Sequence, residues 1–217
     1  MELFQIREGL QPFLTAPLAE PQLRHISMYM DILLRWNARV NLTAVREPEQ
    51  ILTRHFSESI FAAQHLFPAV LNGRGPTTDD HVIDLGSGAG FPGLPIKICY
   101  PRLRVTLIES NQKKATFLRE VARSLALTNV DVFCGRAEGY AGDRAAVVTL
   151  RAVERFDEIL PIASSLVLPA GRLALLIGAA QVTRAPQLAP GFSWSRPLPV
   201  PLSASRILFV GSRDEPK

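Results

Sequence analysis

Residues 81–93, HVIDLGSGAGFPG, are the stretch of this chain best spaced for chemistry. Val82, Ile83 and Leu85 read as a buried strand that contains Asp84. Gly86, Gly88 and Gly90 then alternate before Phe91, Pro92 and Gly93. A strand that ends in alternating glycines and opens a helix is a ligand-binding turn. Glycine supplies positive φ there. It also lets a ligand lie on bare backbone at the positive end of the next helix. A surface turn without a ligand is the plain alternative, and it rarely needs three alternating glycines behind a strand acid.

Two cofactor classes use such a turn. Gly88, Gly90 and Gly93 fit the dinucleotide pattern G-x-G-x-x-G, a weak match alone. The other frame starts at Asp84, two residues before Gly86. An acid there suits the ammonium of S-adenosylmethionine and repels a pyrophosphate. Pro92 also removes a backbone donor near the helix start.

The remaining candidates sit where an open α/β sheet would place them. A strand over 104–109 ends in Glu109, 25 residues beyond Asp84. An acid at the second strand end accepts from both ribose hydroxyls, which serves either cofactor; an ordinary helix N-terminal acid is the bland reading. A third strand over 130–134 leads into Gly135–Glu138, where backbone at Ala137 and the Glu138 side chain can edge an adenine. A fourth strand over 145–150 places Arg151 just past its end, facing the same crevice. Arg151 can grip a carboxylate or a phosphate, or form a surface pair with Glu154 or Glu158.

The elements that must position these groups follow from periodicity. Apolar residues at helical spacing predict one helix over 21–40, then an AsnLeuThr turn at 41–43 and a second helix opening at Pro48. Arg54 and Glu58 are an i,i+4 pair in that helix. His55 lies on its partly apolar face and reads first as a satisfied core histidine. Residues 72–80 read as the loop joining a helical part, 1–72, to a sheet domain, 73–217. Helices are expected over 91–100, 112–125 and 155–168, and further strands over 172–177 and 205–211. The proline-rich stretch 183–201 reads as mostly irregular and the tail 212–217 as frayed. Alternating strands and helices give a doubly wound, mostly parallel sheet.

Composition sets the class. The 217 residues are 47% hydrophobic with net charge +4, and arginine supplies 20 of the 24 basic side chains. Lys113, Lys114, Arg119 and Arg123 make 112–125 the most basic helix. Its face is by default a solvated one and in the sharper reading a phosphate-contacting one. No apolar run approaches the ~20 residues of a membrane span. MELFQIREGL lacks the basic start and apolar stretch of a signal peptide. Cys99 and Cys134 have no metal or redox spacing, which fits reduced thiols in a cytoplasmic protein. No metal site is expected.

Together these residues resemble the bacterial ribosomal small-subunit methyltransferase family first called glucose-inhibited division protein B. The resemblance rests on NLTA at 41–44, Arg54 and His55, DLGSGAGFPG at 84–93, and Glu109 and Ser110 with Lys113, Lys114, Phe117 and Leu118. GRAE at 135–138 and Arg151 with Ala152 complete it. It implies a seven-stranded class I S-adenosylmethionine methyltransferase (Rossmann-like) sheet behind an N-terminal helical extension. It also implies cofactor contacts at Gly86, Phe91, Ala137, Glu138 and Arg151, and methylation of N7 of a guanine in 16S ribosomal RNA. The small ribosomal subunit or its RNA is then the partner of a protein expected to be a monomer. Glu58, Leu150 and Gly139 depart from the family's usual residues.

The residue inventory agrees with that chemistry. Guanine N7 carries a lone pair and no proton, so no general base is needed, and no Ser/His/Asp set or poised cysteine is evident. The Asn/Asp-Pro-Pro-aromatic motif for exocyclic amines is missing. Positioning then supplies the rate, with Arg151 the one catalytic candidate. In A-form RNA the major groove hides N7, which calls for an unstacked guanine. Arg54, His55 and the basic helix are the candidate RNA contacts. Methylation of another RNA or of a small molecule is the alternative.

Overall fold

The structure is a computed structural model that describes residues 1–68, 77, 80–152 and 155–214. Helices α1 (Leu3–Leu10) and α2 (Glu20–Asn37) open the chain, and α3 (Pro48–Ile51) runs through a π-helical turn (Leu52–Phe56) into α4 (Ser57–Leu66). Then β1 (His81–Leu85), α5 (Gly93–Cys99), β2 (Arg104–Glu109), α6 (Gln112–Ser124), β3 (Val130–Cys134), β4 (Ala145–Arg151), α7 (Phe156–Ser165) and β5 (Val167–Ile177) alternate. The chain ends with α8 (Ala179–Val182), α9 (Ala185–Leu188), β6 (Phe192–Trp194), β7 (Leu198–Pro199) and β8 (Ile207–Arg213).

Seven strands lie in the order β3-β2-β1-β4-β5-β8-β6, and the two-residue β7 also pairs with β8. β1 to β5 pair in parallel; β8 runs antiparallel to β5 and to β6. The order reverses between β1 and β4, and such a switch point opens a crevice at the strands' carboxyl ends. This is the expected doubly wound sheet. Among the described residues no helix is long and apolar enough to cross a membrane.

Strand alternation divides the core. Val82, Val105, Leu107 and Val147 face one layer with α2, the π turn, α4, α5 and α6, while Ile83, Leu85, Ile108, Val148 and Leu150 face the other with α7 and α9. Asp84 and Thr149 therefore point with Val82 and Val147 toward the N-terminal helices. One apolar core thus spans Leu52, Phe56 and Ile60 together with Leu94 and Leu107. The expected division near residue 72 and most of the 72–80 loop lie outside the described residues.

The C-terminal expectations need correction. β5 begins at Val167, where a helix was expected to reach 168, and passes an irregularity opposite β4 with Ala170 at φ +58°. The 183–201 stretch, expected to be mostly irregular, still holds α9, β6 and β7 between its turns. Strand addition to β8 uses backbone groups, so it leaves little side-chain pattern; Trp194 on β6 stacks on Phe209 at 4.5 Å. Ser212 and Arg213 belong to β8, and Arg213 Nη1 donates to the Ser164 and Val167 carbonyls at 2.8 Å. The tail is anchored that far; residues 215–217 lie outside the described part.

Candidate active site

The glycine turn is built by backbone that only glycine adopts easily. Gly86, Gly88 and Gly90 have φ of +73°, +56° and +87°. Gly86 and Ser87 donate their N–H groups to the Ile108 carbonyl at 2.9 and 3.0 Å, tying the turn to β2. Glu109 fixes it from the side: Oε2 accepts from Gly88 N–H at 2.8 Å and Oε1 from Asn111 N–H at 2.7 Å.

Asp84 lies beneath the turn and is 1% exposed. Its Oδ2 accepts from Gly93 N–H (3.2 Å), one of the orphan donors at the start of α5, and its Oδ1 from Thr149 Oγ1 (2.7 Å). A Cβ at Gly93 would stand 2.5 Å from Leu107 Cδ2 and 2.8 Å from Asp84 Cβ, so strand and helix meet through a bare backbone. Asp84 thus positions the turn through protein donors.

Burial pushes the Asp84 carboxyl up to about 6, against the Thr149 and Gly93 hydrogen bonds. A raised carboxyl binds its proton more tightly in the folded chain, so this group's contribution falls as pH rises from about 4 to 6. Above that it costs about 3 kcal/mol. Asp84→Asn removes the titration. Its stability relative to the unaltered protein therefore improves by about 3 kcal/mol from pH 4 to pH 7 in denaturant titrations at each pH. The difference is the readable quantity because His55 pulls the opposite way. Burial, then Arg151, lowers His55 to about 3, so its contribution is lost as pH falls from 6.5.

Arg151 closes the crevice at the end of β4. Its Nη2 donates to Glu58 Oε2 (2.9 Å), to His55 Nδ1 (2.9 Å) and to the Arg54 carbonyl. The π-helical turn makes this possible. Its extra residue rotates Arg54 and Glu58 out of register, and it opens a backbone carbonyl to a side-chain donor. The expected Arg54–Glu58 pair is therefore replaced by Arg151–Glu58. Of the two expected surface partners, Glu158 pairs instead with Arg155, and Glu154 lies outside the described residues.

His55 is a neutral orienting group. Because Nδ1 accepts from Arg151, the network assigns the proton to Nε2, which donates to Thr43 Oγ1 at 2.8 Å. Thr43 is held in turn by Asn37, whose Oδ1 accepts from the N–H groups of Leu42 and Thr43. The AsnLeuThr turn thus fixes His55, and His55 helps fix Arg151. Both ring nitrogens of His55 are thus engaged within the protein.

Phe91 is 5% exposed and floors the site. It stacks on Tyr29 (5.3 Å) and His55 (5.1 Å), meets Phe56 edge-on, and lies 5.8 Å from the Arg151 guanidinium. Tyr29 donates its hydroxyl to the Ala89 carbonyl inside the glycine turn. Tyr29, fully buried on α2, was not singled out from the sequence.

On the other side of the turn a cavity of about 240 Å³ is lined by Leu85, Gly86, Ile108, Ser110, Ala137 and Glu138. Its apolar walls suit a flat base, its bare glycine backbone admits close approach, and Glu138 offers an acceptor to an amine. The residues present therefore fit an adenine between Leu85, Ile108, Ala137 and Glu138.

Asp84, the glycines, Phe91, Glu109, Ala137, Glu138 and Arg151 thus share the carboxyl edge of the sheet, joined by Arg54 and His55. Lys113 and Lys114 open α6 directly after Glu109. Arg119 and Arg123 do not join them: they lie about 9 and 15 Å further along the helix. Arg119 donates to the Val132 carbonyl, and Arg123 pairs with Glu120. Arg206, 3.4 Å from Glu58, and Thr149 escaped the sequence reading because nothing local marks them.

Comparisons with known proteins agree with this geometry. A family model described as "GidB: rRNA small subunit methyltransferase G" matches residues 22–192. The ribosomal RNA small subunit methyltransferase G of Xanthomonas campestris pv. campestris (strain B100) is 39% identical over 216 residues, covering 96% of this chain and 94% of that protein. The Listeria monocytogenes serotype 4b (strain CLIP80459) protein of that name is 36% identical over 177 residues, 79% of this chain and 71% of that one. Among solved structures, M. jannaschii TYW2 in complex with AdoMet superposes with a TM-score of 0.55 at 15% identity, over 74% of this chain and 77% of that one. At that identity the likeness shows the fold alone.

Proposed function

The chain belongs to the rRNA small subunit methyltransferase G family, and from that premise we propose that it transfers a methyl group from S-adenosylmethionine to N7 of an unstacked guanine in 16S ribosomal RNA. The observation that carries the reading is the crevice itself. A glycine turn, an adenosine-sized cavity and a buried arginine converge at the switch point of the sheet. Substrate and fold together favour a cytoplasmic monomer that works on the small subunit or its RNA.

When bound, the cofactor supplies a methyl group on a sulfonium. The chain's own residues do the rest by placement. Leu85, Ile108 and Ala137 hold the base, Glu109 faces the ribose, and the Gly86–Gly90 backbone lets the ligand lie close. Arg151, clamped by Glu58 and His55, binds the carboxylate end. N7 needs no base, and the site offers none: His55 is neutral with Nδ1 committed to Arg151, and Asp84 is sealed beneath the turn. Holding the two reactants in line can supply ~7–11 kcal/mol of the barrier.

Lys113 and Lys114, in the first turn of α6, are the cations nearest the crevice mouth on that helix. Reversing both charges to glutamate weakens binding of protein-free 16S RNA and lowers the salt slope by about 0.7 per lost phosphate contact, read by titration at several ionic strengths. Reversal at Arg123, lower on the helix, leaves the slope in place. The reading itself is tested by labelled methyl transfer to intact 30S subunits, protein-free 16S RNA and a bulk protein extract. Label enters ribosomal RNA; label confined to protein or small molecules contradicts the substrate.

A further inference from the structure

Beside Glu58 a second cavity, of about 270 Å³, opens between the π-helical turn and the β7–β8 loop. Phe13, Thr53, Arg54, Leu202, Ser205 and Arg206 line it. Its charge is not balanced. Glu58 is the acid of this cavity, and its Oε2 already accepts from Arg151 at 2.9 Å. Arg206 holds only a share of the same oxygen: its Nε stands 3.4 Å away, out of hydrogen-bond alignment. That Nε and the Arg151 Nε are both buried without a hydrogen-bond partner. Buried guanidinium donors are nearly always satisfied, so the orphan Arg206 Nε beside a carboxylate that Arg151 already holds marks a donor set larger than its acceptors.

The walls say what the extra acceptor is. Arg54 has its carbonyl committed to Arg151, which fixes its backbone and leaves its exposed side chain at the rim. Arg206, just before β8, donates from Nη1 to the Leu176 carbonyl at 3.2 Å, which anchors the guanidinium. The loop between them is formed. Val200 N–H donates to the Arg206 carbonyl at 3.0 Å, and Arg206 N–H to Ser203 Oγ at 3.0 Å. At its tip Leu202 is 81% exposed with φ +55°, an apolar finger over a cationic hole. Two forks, nearby hydroxyls and an apolar lip match a phosphodiester with its attached sugar or base.

We propose that this cavity holds a backbone phosphate of the substrate RNA beside the target guanine, with Arg206 and Arg54 as its ligands and the neighbouring nucleotide lying on Leu202. This rests on the ribosomal RNA reading above. It also ties substrate to site: an anion taken by Arg206 leaves Glu58 wholly to Arg151, the residue that closes the cofactor crevice.

The test is equilibrium binding of protein-free 16S RNA at several salt concentrations, with S-adenosylmethionine affinity and thermal midpoint measured in parallel. Arg206→Gln weakens RNA binding about tenfold and lowers the salt slope by about 0.7, while cofactor affinity holds. Ser205→Glu places a carboxylate in the cavity without touching the ion pairs and gives the same loss, which decides the matter if Arg206→Gln unfolds. Unchanged RNA affinity and slope in Ser205→Glu overturn the proposal. So does loss of cofactor affinity in step with RNA affinity, which marks Arg206 as a structural support only. A protein that methylates RNA yet passes both variants unaffected loses this cavity alone; a protein that methylates no RNA loses the earlier reading first.

Discussion

Arg151→Met lowers methyl transfer by at least about a hundredfold, because the group that closes the crevice and is proposed to bind the carboxylate end of the cofactor is gone. It also destabilises the fold. Glu58 is 6% exposed at its side chain, and without Arg151 it keeps only the poorly aligned Arg206. Removing one partner of a buried ion pair costs about 3–5 kcal/mol, since the other charge is left buried. The two effects separate in the double variant Arg151→Met with Glu58→Gln. Stability returns in large part because no buried charge is stranded, while activity does not. Arg151→Lys does not rescue either: all three contacts are made by Nη2 at the tip of the guanidinium, and the lysine side chain is one bond shorter and stops before that point. Denaturant titration gives the stability, and single-turnover transfer gives the rate.

Gly90→Ala abolishes cofactor binding and lowers the thermal midpoint by about 10 °C. Two costs add. A φ of +87° strains any residue with a Cβ by about 1–2 kcal/mol. The new Cβ would stand 2.6 Å from Leu94 Cδ1 and 3.1 Å from Leu118 Cδ2, and against the Tyr29 hydroxyl. Those three side chains are all fully buried, so relief must come from the turn, at about 1–3 kcal/mol more. At roughly 2–4 °C per kcal/mol for a chain of this size, the sum gives the stated fall. Gly88→Ala is the contrast. It shares the positive φ, but its Cβ meets only the Gly86 carbonyl at 3.8 Å, so it pays strain without collision. Calorimetric melting and cofactor titration of the pair separate backbone conformation from space.

The elements that carry the cofactor crevice were legible because each is set by local pattern. β1, β2 and β3 appear at the expected residues, since buried parallel strands read as apolar runs and the glycines fix where β1 stops. α6 follows Asn111, whose Oδ1 accepts from Lys113 and Lys114 N–H as a cap should. The group around Arg151 was legible only in part. Arg151 was placed at the crevice, but its partner Glu58 was assigned to Arg54 by α-helical spacing, and a π turn breaks that spacing. Nothing in LTRHF announces the turn, within which the Arg54 carbonyl accepts from Arg151. Arg206 lies 148 residues beyond Glu58, and a long-range ion pair has no period to read. Asp84 was read as facing a ligand's ammonium. The alternation of β1 turns it instead toward Gly93 and Thr149, a consequence visible once Val82 is seen to face the helices.

The most direct test of the central claim is the position of the transferred methyl. 16S ribosomal RNA is incubated with the protein and S-adenosylmethionine, reduced with borohydride and treated with aniline, which breaks the strand only at N7-methylguanine. The structure and the family predict cleavage at one guanine in an unpaired region, dependent on the cofactor and lost with Arg151→Met. Methyl label incorporated into RNA that stays intact under that treatment, or cleavage spread over many guanines, would contradict the account.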